Sequence, residues 1–402
     1  VLDLGRKCAH SCRFCYYSFM SEDGGQFGAL RRAPFRSTED SLRILDRLAG
    51  HGLVNCDVTG GEPTMHPGLP DMVRRAVSRG LSIRVITLGQ FLIRRGGTRL
   101  LDTLLTAGTT DFLFSVHAGS EEGFRQATGG SLAKVLAVMD ALDGAGFQYT
   151  ANTVVHAGNL DDLPRIAELS AGRGVYHHNF IVFNAYYRWD SPARVAGLQA
   201  AYPAMAPPLS QAVDILAAAG VAVTVRYLPL CVVPGLARHL VGVVGVHHDP
   251  HEWMNRAGNE DREPEYCAEP LPVPGDGPRQ VYALTRGRRL VECGPGGPVE
   301  AVAWRGDAFK IFPAPCADCA AMDYCDGVDP KYVLLHGTAG LAPFAPGSAQ
   351  ATGQPPLLAS RRAYLPAFAV KRAPLADMRR AIARLSGPSG SAPKPGCSIY
   401  EP

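Results

Sequence analysis

The chain has 402 residues, 46% of them apolar and 19% charged, and a net charge of +3, which excludes a disordered or fibrous chain and leaves room for about two or three domains. Its Lys and Arg residues are scattered among acids, with no basic run or stripe to meet nucleic acid. The most apolar stretch, around Val241 to Val246, is too short and glycine-broken for a bilayer span, and no basic, apolar leader opens the chain, so neither a nucleic acid nor a membrane is an expected partner and the expected compartment is the cytoplasm.

The first predicted strand, Val1 to Leu4, runs directly into Cys8-Ala-His-Ser-Cys12-Arg-Phe-Cys15. A closed zinc site usually takes four protein ligands in paired spacings. Three cysteines in C-x3-C-x2-C on one tight loop suit an iron-sulfur cube with one open iron. His10 lies inside the same loop, where reaching the metal together with all three thiolates would strain the chain.

A helix follows over Thr38 to Leu48, with cap candidates at Ser37 and Thr38 and apolar residues at Leu42, Leu45 and Leu48. The strand Leu53 to Thr59 then ends in Gly60-Gly61-Glu62-Pro63. Two glycines permit close backbone approach, and Glu62 suits an ammonium group at the strand end; the same four residues also make an ordinary turn. Cys56, in the apolar run before the pair, reads as a buried small hydrophobe.

Further strands are predicted at Ser82 to Thr87, Asp111 to Val116, Gln148 to Val155 and His178 to Phe183, with helical patterns at Leu69 to Ser78, Leu132 to Leu142 and Leu160 to Leu169. This alternation across about the first 227 residues implies a parallel sheet with helices outside it, either doubly wound or curled toward a barrel, with ligands at the C-terminal strand ends.

Cys8, Cys12 and Cys15 before an aromatic pair, then Gly60-Gly61-Glu62-Pro63 one β-α unit later, resemble the pattern of the radical S-adenosylmethionine (radical SAM) superfamily. The resemblance implies a partial (β/α)6 TIM-like barrel. Cys8, Cys12 and Cys15 would hold a 4Fe-4S cluster whose open iron takes the amino and carboxylate groups of S-adenosylmethionine. Phe14 would meet the adenine through its backbone, with Tyr17 a weaker candidate, and Gly60, Gly61 and Glu62 would line the methionine amino group. Ser115 and His117 at the end of the fourth strand, Asn152 in the fifth and Asn184 after the sixth are further cofactor candidates. The third strand reads Thr87-Leu88-Gly89-Gln90 in place of the common Thr-Asn-Gly, which puts Gln90 forward. In that family an electron from the cluster breaks a carbon-sulfur bond, giving a 5′-deoxyadenosyl radical that removes a substrate hydrogen in a dry, enclosed site.

Beyond residue 227 the signal is again cysteine. Cys316-x2-Cys319-x5-Cys325 lies in a loop-rich stretch and reads as three metal ligands. Cys231, after the last barrel-like strand, is the preferred fourth, with Cys267 and Cys293 competing. This arrangement resembles the auxiliary-cluster (SPASM or twitch) domains of the same superfamily and implies one second 4Fe-4S cluster. The expected division is a barrel over 1–227, a smaller loop-rich iron-sulfur lobe over 228–335, and a wrapping tail over 336–402 with a short helix at Ala376 to Leu385. His247 to Trp253 reads as a polar loop, Tyr186 to Asp190 as a substrate contact or packing segment, and Cys397 as a free thiol. The expected activity is modification of a ribosomal peptide or small natural-product precursor, with an external reductant such as flavodoxin or ferredoxin. The competing expectation is a non-catalytic iron-sulfur carrier or a zinc-stabilised binding module.

Overall fold

A computed structural model of the chain describes residues 1–17, 26–50, 55–93, 99–185, 192–241, 284–292, 297–305, 310–323 and 325–348. The chain forms two compact units, one carrying Val1–Ile181 and Pro208–Val223, the other Val182–Pro207 and Thr224–Ala363.

The first unit alternates strand and helix: β1 (Leu2–Asp3), α1 (Gln26–Arg32), α2 (Thr38–Gly50), β2 (Asn55–Thr59), α3 (Leu69–Ser78), β3 (Ser82–Thr87), α4 (Leu100–Ala107), β4 (Asp111–Ser115), α5 (Glu121–Thr128), α6 (Leu132–Gly144), β5 (Tyr149–Val155), α7 (Leu163–Ala171) and β6 (Val175–Val182). Strands lie side by side in chain order, and the pairings from β1 to β5 are parallel. A sheet in which every crossover advances the same way winds its helices onto one face and curls, giving an α/β partial barrel. Inner strands such as β5 and β6 are buried along nearly their whole length, as a parallel sheet covered on both faces requires.

Local chemistry sets the helix ends. Ser120 caps α5 through Gly123 N–H, and Gly129 closes it at φ +70°; Ser131 caps α6 through Lys134 N–H. The expected strand positions match the observed ones to within a few residues, with β6 starting earlier, at Val175. α9 (Tyr202–Ala218) follows α8 (Pro192–Leu198) and is not among the helices expected from the sequence. Pro203, Pro207 and Pro208 disguise α9, yet Leu209, Ala212, Val213 and Leu216 are buried at helical spacing.

β7 (Ala222–Arg226), whose residues from Thr224 on belong to the second unit, pairs in parallel with β8 (Leu240–Val241). A three-stranded antiparallel sheet follows, in the order β11-β10-β9, from β9 (Leu284–Glu292), β10 (Pro298–Arg305) and β11 (Lys310–Phe312). Its core is Val299, Ala301 and Ile311, with Val333 and Leu334 of α10 (Pro330–His336) packed against it. The expectation of a loop-rich lobe did not include this sheet. It escaped notice because β9 is charged and exposed along most of its length, so it carries no apolar alternation. Cys267, Cys293, Cys397, Tyr186 to Asp190, His247 to Trp253 and Ala376 to Leu385 lie outside the described residues.

Candidate active site

The three-cysteine loop leaves β1 at the C-terminal end of its strand and is pinned on three sides. Cys8 N–H donates to Leu30 O of α1 at 3.1 Å, and Ser11 and Arg13 N–H donate to Thr128 O and Ala127 O at the end of α5 at 2.8 and 3.1 Å. On the third side, Gly61 and Glu62 N–H donate to Gly5 O and Lys7 O at 2.7 and 2.9 Å. Within the loop, His10 N–H donates to Cys8 Sγ at 3.4 Å and Cys15 N–H to Cys12 O at 3.1 Å. Tyr17 gives its hydroxyl proton to Asp3 and packs with Cys8 and Leu30, so its contacts support the loop.

Glu62 is almost fully buried. Its Oε1 accepts from Thr64 N–H at 3.1 Å and from the hydroxyls of Thr64 and Thr87 at 2.6 Å each. Oε2 accepts Leu88 N–H at 3.1 Å and stands 3.5 Å from His10 Nε2. Burial pushes the carboxyl pKa up, but the neighbouring His10 ring and the bonds from Thr64 and Thr87 outweigh it and hold the group below the usual carboxylate range. Glu62 thus fastens the Gly-Gly turn to β3 and to the cysteine loop. Thr64 and Thr87 are partners that the sequence reading did not name for it.

Phe14 is wedged between two buried histidines, edge-on to His117 at 4.5 Å between ring centroids and stacked on His156 at 5.2 Å. His117 Nδ1 accepts Val154 N–H at 3.1 Å and His156 Nδ1 accepts Gly158 N–H at 3.1 Å. Burial lowers the pKa of His117 to about 3 and of His156 to about 4, so both are neutral and carry their proton on Nε2. His156 Nε2 is buried with no hydrogen-bond partner. Sequence reading passed over His156, although Val155-His156-Ala157-Gly158 repeats Val116-His117-Ala118-Gly119. Asn159 fixes this pair of strand ends, donating to His117 O at 3.0 Å and to Val154 O at 2.9 Å.

Ser115 and Asn152 are register partners on β4 and β5. Asn152 Oδ1 accepts from Asn179 of β6 at 3.0 Å. Gln90 holds both ends of its amide on the backbone of Ser131, at 2.8 and 3.0 Å, and so ties the end of β3 to the start of α6. Asn184 belongs to the second unit; both its side-chain polar atoms are buried and without a partner.

The donor set fits a cluster held by thiolates. Burial, then the charge of Glu62 and Cys15, pushes the Cys8 thiol up to about 12; burial, then Cys15 and Cys8, pushes the Cys12 thiol well up. Thiols this buried and this close to one another ionise only around a cationic centre.

The second unit repeats this chemistry. Cys231, in a 3-10 turn after β7, lines one cavity with Cys316, Cys319 and Cys325, walled by Leu230, Phe312, Val328 and Phe344. Cys316 and Cys325 are each pushed up to about 12, and Cys231 is raised, by burial first and then by neighbouring thiolate charge. Gly327 N–H donates to Cys325 Sγ at 3.4 Å. Among the described residues, those of both thiol groups included, no three His, Cys, Asp or Glu side chains converge on a point that would hold a metal ion.

Residues 2–170 match the family model of the radical SAM superfamily. Among curated proteins it is similar to the PqqA peptide cyclase of Granulibacter bethesdensis, 28% identical over 192 residues, 47% of this chain and 48% of that protein. It is also similar to the PqqA peptide cyclase of Methylorubrum populi, 25% identical over 199 residues, 49% of this chain and 48% of that protein. The chain spans about half the length of these relatives. Among solved structures, Streptococcus suis SuiB bound to precursor peptide SuiA matches 54% of this chain and 45% of its own, with a TM-score of 0.43 and 12% identity. No described helix is long and apolar enough to cross a membrane.

Proposed function

We propose that this protein is a radical SAM enzyme that modifies a peptide. The observation that carries the reading is the loop of Cys8, Cys12 and Cys15, with Cys8 buried and Cys12 and Cys15 partly so, pinned by backbone bonds at the head of a radical SAM partial barrel that also holds neutral His117 and His156. Cys8, Cys12 and Cys15 would hold a 4Fe-4S cluster and leave one iron for S-adenosylmethionine. When bound, the pair supplies one-electron cleavage of the sulfonium and a 5′-deoxyadenosyl radical able to abstract hydrogen.

The chain's own residues do the positioning. Gly60 and Gly61 bring backbone against the loop, and Glu62 locks that turn to Thr64, Thr87 and Leu88. Phe14, its ring held between His117 and His156, would present its backbone to the adenine, and His156 brings a buried N–H with no partner in the protein, suited to an acceptor on a purine or ribose. Ser115, His117, Asn152 and Gln90 complete the proposed lining, with Gln90 acting through Ser131.

Cys231, Cys316, Cys319 and Cys325 would hold the second 4Fe-4S cluster, which supports an electron-transfer role after hydrogen abstraction. The auxiliary segment starts near residue 228 and, since Leu341, Pro343 and Phe344 line its cavity, extends to at least Phe344. Of the two expected substrate classes, a peptide is favoured because the aligned relatives are named peptide cyclases. A low-potential carrier such as flavodoxin or ferredoxin would supply electrons. The eight described cysteines are free thiols, which suits the reducing cytoplasm.

The test is anaerobic reconstitution followed by iron counting and assay for 5′-deoxyadenosine with dithionite and S-adenosylmethionine. About eight irons per chain and deoxyadenosine formation support the reading; a second site holding zinc, or no cleavage, overturns the corresponding half. Cys8→Ala, Cys12→Ala and Cys15→Ala should each abolish cleavage.

A further inference from the structure

The second thiol site is backed by a buried arginine. Arg305, the last residue of β10, is 2% exposed. Its Nε donates to Cys325 O at 2.9 Å, and Nη2 donates to Met322 O and Asp323 O, each at 2.9 Å. One side chain therefore gathers three carbonyls from the turn that delivers Cys325. The guanidinium lies 5.6 Å from the Phe312 ring centroid, and Phe312 is itself a wall of the thiol cavity.

Directly opposite Arg305 in the hairpin stands Lys310, also 2% exposed. Two like charges facing each other across strands are unfavourable, and burial makes them more so. Asp326 and Asp329 are buried in the same segment and offset part of that charge. Four thiolates around an iron-sulfur core would add a net negative charge on the same side.

We propose that Arg305 is a positioning residue of the second cluster, holding the Cys325 turn in ligating shape before metal arrives and raising the cluster's reduction potential through its fixed positive charge. The inference rests on reading Cys231, Cys316, Cys319 and Cys325 as a cluster site. A planar guanidinium suits the task, since its rigid donors reach several carbonyls at once, which an ammonium cannot reproduce. A nearby cation favours the more negative, reduced state of a cluster, and such surrounding charge is one of the levers that set its potential.

The test uses the full chain carrying Cys8→Ala, Cys12→Ala and Cys15→Ala, so that only the second site can take iron. In this background Arg305→Lys and Arg305→Gln are compared with Arg305 by three readouts: alkylation rate of Cys325 in metal-free protein, located by peptide mapping; iron bound after reconstitution; and midpoint potential by spectroscopic redox titration. We expect both variants to label Cys325 faster, by about tenfold or more, the factor for one lost bond to a charged group. Both should bind less iron, and the potential should fall further in Arg305→Gln than in Arg305→Lys. Labelling, iron content and potential all unchanged would overturn the proposal, as would an equal potential drop in both variants. If the parent binds zinc or no iron, the cluster reading fails, while the Cys325 labelling still decides whether Arg305 shapes the turn. Should Arg305→Gln not fold, Arg305→Lys labelling decides the positioning role and Lys310→Gln, by lowering the potential or leaving it unchanged, decides the charge effect.

Discussion

Gly61 lies so close to Lys7 that a Cβ on it would stand 2.2 Å from the Lys7 carbonyl oxygen and 2.5 Å from that of Arg6. Its neighbour Gly60 takes φ +137°, where a Cβ would sit 2.6 Å from Gly5 O. The obstacle in each case is backbone of the chain leading into Cys8, which cannot swing aside as a side chain would. The glycine pair therefore seats the cysteine loop. Gly61→Ala is expected to cost about 1–3 kcal/mol, as overpacking of a tight contact does, and to lower iron uptake at the first site. Paired urea melts and iron counts check this; an unchanged iron content would separate the turn from the loop.

Glu62 accepts four hydrogen bonds from within the protein. Replacing it with Gln puts an amide among donors, so at least one buried donor loses its acceptor, at about 1–3 kcal/mol. Thr87→Val removes one donor and leaves the carboxylate in place, so its cost is expected to be smaller, about 1 kcal/mol. If Glu62 acts mainly by fastening the turn, Thr87→Val lowers stability and S-adenosylmethionine affinity together. Calorimetric binding beside thermal melts reads the two effects; a loss of affinity in Glu62→Gln with no loss of stability would assign the carboxylate to the ligand instead.

Much of the site was legible because its chemistry is local in sequence. The C-x3-C-x2-C loop, the Gly-Gly-Glu turn and the C-x2-C-x5-C segment each fall within a dozen residues. Partners brought together by the fold were harder to see. Cys231 joins Cys316 across a separation that no spacing rule covers, and Thr87 reaches Glu62 only because β3 lies beside β2. His156 had a signal, the repeated Val-His-Ala-Gly, which mattered only once β4 and β5 were neighbours. β9 gave no apolar period to read, since it is an exposed edge strand of arginines.

Three buried histidines should make the first unit acid-sensitive. His117 and His178 are lowered to about 3 and His156 to about 4, in each case chiefly by burial. His178 is fully buried: its Nδ1 meets Ser170 Oγ and its Nε2 meets Thr153 Oγ1, both at 3.0 Å, and Thr153 already donates its proton to Val116 O. A neutral ring satisfies both contacts, and burial opposes the charge that a second ring proton would bring. The unfolded chain binds protons near pH 6.5 and the folded chain does not, so stability is full above that pH and is lost as pH falls toward 4 and 3. Each imidazole contributes roughly 1.4 kcal/mol per pH unit in that window. Denaturant midpoints from pH 7 to 4.5 should show this slope, and His178→Gln should flatten it; a slope unchanged by that variant would remove His178 from the account.

Cys231 is the only candidate fourth ligand among the described residues that lines the cavity of Cys316, Cys319 and Cys325. It is set there by the 3-10 turn of Leu230–Val232, and Tyr227, just before it, is held at φ +67°, a conformation that bulky residues adopt only under constraint. A thiol placed by its own constrained turn is expected to be a ligand, so Cys231→Ser should remove about four irons per chain, the content of one cubane. Cys267→Ser and Cys293→Ser should retain the full iron content. Deoxyadenosine formation at the first site should survive Cys231→Ser, since Cys8, Cys12 and Cys15 are intact, while turnover of peptide should fail. Iron analysis and mass spectrometry of the peptide, run on the three variants side by side, check the assignment, and loss of iron in Cys267→Ser or Cys293→Ser with retention in Cys231→Ser would transfer it.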